Sequence, residues 1–344
     1  MKVFVLHQKG NKNYLPILVH SLDVKISSGQ IFLQKAIEQI KEPIFDIAIK
    51  IEEASFLLIP YDFFSIEKEE EYLREAERLS LEHDKKILVF DYSDFDRDIN
   101  VKNSLIFRTS KYRSTLKENE FIIPIIIEDL GKRYGVTFRE KKTKLVVGFA
   151  GWAAVSVWQY IKFFIKELPI RFLSVFNECY KVNIKGIFWR IKTNKILKNS
   201  SLVTTNFLIR KSYSGHVMTA ENNLDVLRKE FINNLINSDY ILIIRGDANA
   251  ATRFYEALSL GRIPLILDTD LIFPFEDIID YRKFCIFVDF RDVGRIDKII
   301  RKFHDSITNE RFIEMQKNAR EVYLKHLEVN KFGVTLSNKL ASKI

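Results

Sequence analysis

With 344 residues, 47% of them hydrophobic and 29% charged, the chain can bury one large core or two ordinary ones. Two cysteines, Cys179 and Cys285, exclude a disulfide framework and are expected as free thiols in a reducing cytoplasm. The net charge of +9, from 54 basic and 45 acidic residues, suits an anionic substrate, an anionic membrane surface or nucleic acid, and its sign alone does not choose among them.

The first half alternates apolar runs with amphipathic segments. Strands are expected at Val3–Leu6, Phe56–Ile59, Ile87–Phe90 and Leu105–Phe107, with helices between them at Gln30–Gln39 and Lys68–His83. Met1 to Leu6 is too short an apolar run for a signal peptide and reads as the first of these strands. Gly131 to Lys144 is polar and basic, which places a domain boundary there. A second alternating set follows, with strands at Leu145–Gly148, Ile187–Arg190, Tyr240–Ile244, Pro264–Leu267 and Phe284–Val288. Helices are expected near Val155–Lys166, at Leu224–Ile236, and in the closing segments Arg295–Ser306 and Asn309–Leu327. The charge-free run Leu145 to Ile161 is interrupted by Gly148, Gly151 and Gln159, so a strand, loop and helix start is expected there rather than a membrane span. This alternation predicts an α/β protein with two Rossmann-like, doubly wound domains facing across a cleft. The expected domains are 1–140, 141–325 and a C-terminal tail or helix, 326–344, packing back on the first domain.

The stretch Tyr240 to Phe275 carries the most chemistry. An apolar strand leads through Arg245-Gly246-Asp247 into a helical segment from Asn249 to Leu260, which stops at Gly261 before a second apolar strand. A helix that follows a strand through a glycine turn offers free N–H groups and a positive dipole end to a phosphate. Arg245 and Arg253 would add full charges shaped for phosphate oxygens, and Glu256, on the face of Arg253, could accept hydrogen bonds from ribose hydroxyls. Spacing alone also fits a plain βαβ unit in which Arg253 and Glu256 are a surface pair, because neither a G-x-G-x-x-G nor a P-loop signature is present.

The residue string narrows this. Arg-Gly-Asp, then Arg253-Phe-Tyr-Glu256-Ala-Leu, Gly261-Arg-Ile-Pro264, Asp268 and Pro274-Phe275-Glu-Asp277 resemble the signature block of the exostosin-family glycosyltransferases. Arg262 stands where that block often has cysteine, and Thr252 where it usually has serine. Glu53 to Tyr61, Phe107 to Ser110 with Ile123-Pro124, Val147 to Gly151, Phe284 to Asp289 and Met315-Gln316 resemble further pieces of the family in its order. The resemblance implies a GT-B architecture, a nucleotide-diphosphate sugar as donor (a UDP-sugar first), and inversion at the anomeric carbon. It also implies transfer of a hexosyl or glycuronosyl group to a glycan or lipid-linked saccharide in surface polysaccharide synthesis. Eukaryotic exostosins carry a membrane anchor; this chain is expected to be soluble, cytoplasmic and at most peripheral to an anionic membrane.

Transfer from such a donor needs a stabilised leaving diphosphate and a base for the attacking hydroxyl. The donor contacts expected are Arg245, Gly246, Asn249, Arg253, Glu256 and Asp268, with Arg210 in the polar loop that runs on to Ser214-Gly215. Lys211 and Arg228 are further candidates, each equally readable as a salt-bridge residue. Asp62 and Asp94 are the candidate bases, beside His7; each also reads as a turn or capping residue. Asp268-Thr269-Asp270 is a competing D-x-D, which would hold a divalent metal on the donor phosphates, and Asp96-Arg97-Asp98 is a second one without a preceding strand. No metal or other cofactor is expected: the histidines (7, 20, 83, 216, 304 and 326) form no H-x-x-x-H pair and the cysteines no C-x-x-C. The alternatives are a metal-dependent D-x-D transferase, or a non-catalytic nucleotide- or glycan-binding protein on the same fold. A nucleic-acid binder lacks any reading motif.

Overall fold

The computed structural model describes residues 1–213 and 223–341; Ser214, Gly215, His216 and the last three residues of the tail lie outside them. Strands β1 (Lys2–Val5), β2 (Asp46–Ile47), β3 (Phe56–Asp62), β4 (Ile87–Asp91), β5 (Ser104–Arg108) and β6 (Glu120–Ile122) form one sheet in the order β2-β1-β3-β4-β5-β6. Strands β7 (Val146–Trp152), β8 (Thr204–Arg210), β9 (Tyr240–Ile243), β10 (Ile263–Asp268) and β11 (Ile286–Asp289) form the second, in the order β11-β10-β9-β7-β8. Every strand pair in both sheets is parallel. Such strands are covered on both faces, which is why β3 and β4 read as unbroken apolar runs rather than alternations.

Each sheet is doubly wound: its order reverses once, between β1 and β3 in the first and between β7 and β9 in the second. The two halves meet across a cavity lined by residues of both. At a reversal the crossover helices leave on opposite faces, and a crevice opens beyond the carboxyl ends of the strands.

The helices follow the apolar spacing with shifted ends. Gln30–Gln39 is helical over Ile31–Ile37, Lys68–His83 over Glu70–Glu82, Val155–Lys166 over Val157–Lys166, and Leu224–Ile236 runs as expected. Ile187–Arg190 is not a strand. It lies in a helix, Gly186–Asn199, whose buried positions Trp189, Thr193 and Leu197 recur at four-residue spacing. The apolar trio Ile187-Phe188-Trp189 imitates a buried strand because the first turn of this helix is enclosed on all sides. The helix after β9 begins at Thr252, not Asn249; Ala251 before it is extended, with φ −147°. The three strands β2, β6 and β8 are short or half-buried edge strands without a strong apolar run.

One side of the interface between the sheets is closed by polar contacts. Arg113 makes a bidentate pair with Glu276 at 2.7 and 2.8 Å and donates to the Leu271 carbonyl. Ser114 binds Asp270, and Arg320 binds Asp129. The helix Val329–Ala341 lies against the first half: Asn330 accepts from the Lys41 amide and donates to the Gln39 carbonyl, and Gly333 sits over Ile44. The apolar core is continuous across the two halves, with a separate cluster on the other face of the first sheet.

Candidate functional site

The second sheet reverses where Gly151-Trp152 ends β7 and Ile244-Arg245-Gly246 follows β9. There, between the two halves, lies a cavity of about 480 Å³. The helix Thr252–Ser259 sets Arg253 and Glu256 on one face, and both line the cavity. The Arg253 guanidinium lies 4.4 Å from the centre of the Phe149 ring and donates to the carbonyl of Ala150. Gly151 makes this possible: its φ is +153°, and a Cβ there would come within 2.5 Å of Arg253 Nη2.

A second arginine arrives on the helix Gly186–Asn199. Arg190 donates to the carbonyls of Trp152 at 3.2 Å and Ile244 at 3.4 Å. The helix approaches this closely because a Cβ on Gly186 would meet the carbonyl oxygens of Arg245 and Gly246 at 2.4 and 2.2 Å. Arg190 and Arg253 both line the cavity and form no ion pair among the described residues. Burial lowers Arg253 to about 9, helped by the neighbouring charge of Arg190, and burial lowers Arg190 to about 10. Both still carry charge near neutral pH, so an anion entering the cavity would supply the missing counter-charge.

Glu256 is buried, with one carboxylate oxygen held by Arg228 Nη1. Arg228 reaches across to Glu128 of the first half at 2.8 Å, and Glu128 in turn holds Arg133 at 3.1 Å. The other Glu256 oxygen has no partner among the described residues and remains available as an acceptor.

Tyr92, Asp94, Thr109 and Ile125 line the opposite wall. The loop carrying Asp94 is pinned by Arg108, which pairs with Asp91 at 2.9 Å and Glu120 at 3.0 Å and donates to the Phe95 and Arg97 carbonyls. The Asp94 carboxylate itself has no hydrogen bond or ion pair among the described residues and faces the open mouth. The cleft walls draw it partly out of water and raise its pKa, and the negative charges of Asp247 across the cleft and Asp91 beneath it add to the shift.

Of the residues expected at the site, Gly246, Arg253, Glu256 and Asp94 line the cavity; Arg245, Asn249, Arg210, Asp268 and Asp62 do not. Arg245 turns under the floor and donates to the carbonyls of Val182 and Ile184, both at 2.6 Å. Asn249 bridges the halves, donating to the carbonyls of Lys111 and Asp270. Arg210 pairs with Glu230 at the sheet edge. Asp268 accepts from the Leu271 amide, and Asp270 accepts from Ser114, so the two carboxylates of this D-x-D are engaged outside the cavity. Asp62 caps the short helix Phe63–Ile66 and accepts from the Tyr92 amide at 2.6 Å, which occupies both its oxygens. His7 lies against Tyr14, away from the cavity. Among the described residues no group of three or more His, Cys, Asp or Glu side chains could hold a metal ion.

Arg190 is the residue that the spacing missed. Its signal was the four-residue recurrence of Gly186, Arg190 and Asn194, masked by the apolar trio beside it.

Residues 195–303 match the Exostosin GT47 domain. Exostosin-1 of Drosophila melanogaster is 31% identical over 103 residues, covering 30% of this chain and 13% of that protein. The Exostosin-1 homolog of Caenorhabditis elegans is 32% identical over 96 residues, 28% of this chain and 24% of that protein. The matched stretches thus span at most about a quarter of these relatives. The crystal structure of Anabaena HepE in complex with UDP aligns over 85% of this chain and 79% of its own, with 12% identity and a TM-score of 0.37.

Proposed function

Taking the exostosin-like character of this chain as the premise, we propose that it is an inverting, metal-independent glycosyltransferase. It moves a sugar from a nucleotide-diphosphate sugar, a UDP-sugar first, to a glycan or lipid-linked saccharide in surface polysaccharide synthesis. The first domain, 1–140, receives the acceptor, and the second, 141–325, holds the donor. The carrying observation is the pair of half-buried, cavity-lining arginines, Arg190 and Arg253, that form no ion pair among the described residues at the reversal of the second sheet.

In this reading the donor diphosphate lies against Arg253, Arg190 and the Gly246 backbone, where its growing negative charge is stabilised as the bond to the anomeric carbon breaks. Glu256, fixed by Arg228, accepts from the ribose hydroxyls. The acceptor hydroxyl enters from the first half, its oxygen bonds to the anomeric carbon from the opposite face, and its proton passes to Asp94. Two cations already face the diphosphate, so the step needs no metal to hold it.

A thermal-shift series with UDP, GDP, CMP and their sugars tests the donor class. A nucleotide diphosphate at about a hundred times its Kd should raise apparent stability by about 2.7 kcal/mol. The absence of a shift with every nucleotide would remove the reading. Mixing donor with candidate acceptors then separates a transferase, which releases nucleotide, from a binding protein, which does not.

A further inference from the structure

The segment between β7 and the helix Gly186–Asn199 exposes apolar surface that no described part of the chain covers. Two short helices, Val157–Lys166 and Leu168–Phe176, form it. Trp158, Ile161 and Ile165 share one face of the first, at spacings of three and four, while Phe172, Val175 and Phe176 stand on the second. Trp158 is 81% exposed, Val175 79% and Phe176 75%. Scattered apolar residues on a surface need no explanation, but a contiguous aromatic and aliphatic patch of this kind marks an interaction site.

Charge identifies the occupant. From Ser156 to Lys185 there are five basic residues, Lys162, Lys166, Arg171, Lys181 and Lys185, against two acidic ones, Glu167 and Glu178. Both acidic residues are already paired, with Arg171 and Lys181, and Lys185 pairs with Asp247. Lys162 and Lys166, flanking the apolar face, pair with no acidic side chain among the described residues. A second copy of the chain docked through this face would bring two positive surfaces together. An anionic lipid surface answers both features, taking the apolar side chains between its acyl chains and the lysines at its headgroups.

We propose that the helix pair Val157–Phe176 docks this protein onto an anionic bilayer, lying in the interface rather than crossing it. A helix of 10 residues is about 15 Å long, half the thickness of a hydrocarbon core. No described helix is long and apolar enough to span a membrane. The patch adjoins the cleft: Trp152 lines the main cavity, and the apolar hollow formed by Ala153, Ala154, Val155, Val157, Tyr160 and Ile191, about 410 Å³, lies at the foot of the first helix. A docked molecule would hold its cleft close to the lipid, where a lipid-linked acceptor would be found. The docking itself stands whether or not the protein is a transferase.

Co-sedimentation of the full chain with vesicles of phosphatidylcholine, with and without phosphatidylglycerol, tests this directly. The protein should pellet with the phosphatidylglycerol vesicles at low salt, and the double variant Trp158→Glu/Phe172→Glu should lose at least tenfold in partitioning. Its melting temperature should be unchanged, because both side chains are exposed. Lys162→Glu/Lys166→Glu should lose the preference for phosphatidylglycerol. If the protein stays in the supernatant with anionic vesicles, or if the Trp158→Glu/Phe172→Glu variant binds as well as its parent, the proposal fails. A parent that is dimeric in sedimentation velocity, becoming monomeric in that variant without lipid binding by either, would make the patch a self-interface instead.

Discussion

Arg108 in the first half and Arg253 in the second are both arginines set at the carboxyl-end side of a parallel sheet, yet they are provided for in opposite ways. Arg108 is fully buried and meets two carboxylates, Asp91 and Glu120, as well as two loop carbonyls. Arg253 meets one carbonyl and an aromatic face, and the charge that acts on it most strongly is another cation, Arg190. Asp62 is likewise spent on a helix cap, and on the first half's wall Asp94 is the charged side chain left without an ionic partner among the described residues. The second half leaves a positive pocket open. Saturation, rather than residue type or burial, separates the cation that holds the fold from the cation that awaits a ligand.

That contrast can be broken most sharply at Arg108. Arg108→Ala strands Asp91 and Glu120 in the interior and should lower stability by about 3–5 kcal/mol in urea denaturation. A loss below about 1 kcal/mol would erase the distinction between the two arginines. Arg253→Ala should instead reduce turnover by about 10²–10³-fold. Its melting temperature should hold or rise, since an uncompensated cation is removed; a fall like that of the Arg108 variant would make Arg253 structural.

On the facing wall, Asp94→Asn should leave nucleotide affinity intact and reduce turnover by about 10²-fold. The sign of the pH dependence follows from its raised pKa. The base works only when ionised, so activity should climb as pH rises through a value above the ordinary aspartate pKa of about 4. That acid limb should vanish in Asp94→Asn, and a limb that persists would assign the base elsewhere.

The smallest effect lies at His304, which tests saturation in a neutral group. Its Nε2–H donates to the Lys142 carbonyl at 2.6 Å and its Nδ1 accepts from Tyr240 at 2.8 Å. Burial lowers its pKa, so it contributes stability above the unfolded histidine value of about 6.5, and this is lost as pH falls through the folded value. Stability should fall between neutral pH and pH about 5, and fall less in His304→Gln. An equal drop in both would place the sensitive group elsewhere.

The sequence by itself determined the alternation of parallel strands and helices, the βαβ unit after Tyr240, and the placing of Arg253 and Glu256 on one helix face. Each of these is written in local periodicity, and local periodicity survives without knowledge of neighbours. It misread Gly186–Asn199 because a helix turn buried on every side has the same apolar run as a strand. Tertiary structure alone decided which arginine enters the cavity. Arg245 is drawn under the floor by the carbonyls of Val182 and Ile184, about sixty positions back in the chain, while Arg190 is admitted by the absence of a side chain at Gly186. Asp62 and Asp94 looked alike as strand-end acids until the Phe64 and Tyr92 amides claimed the first. Side-chain direction is set by whichever partner is within reach, and those partners come from segments that only folding brings together.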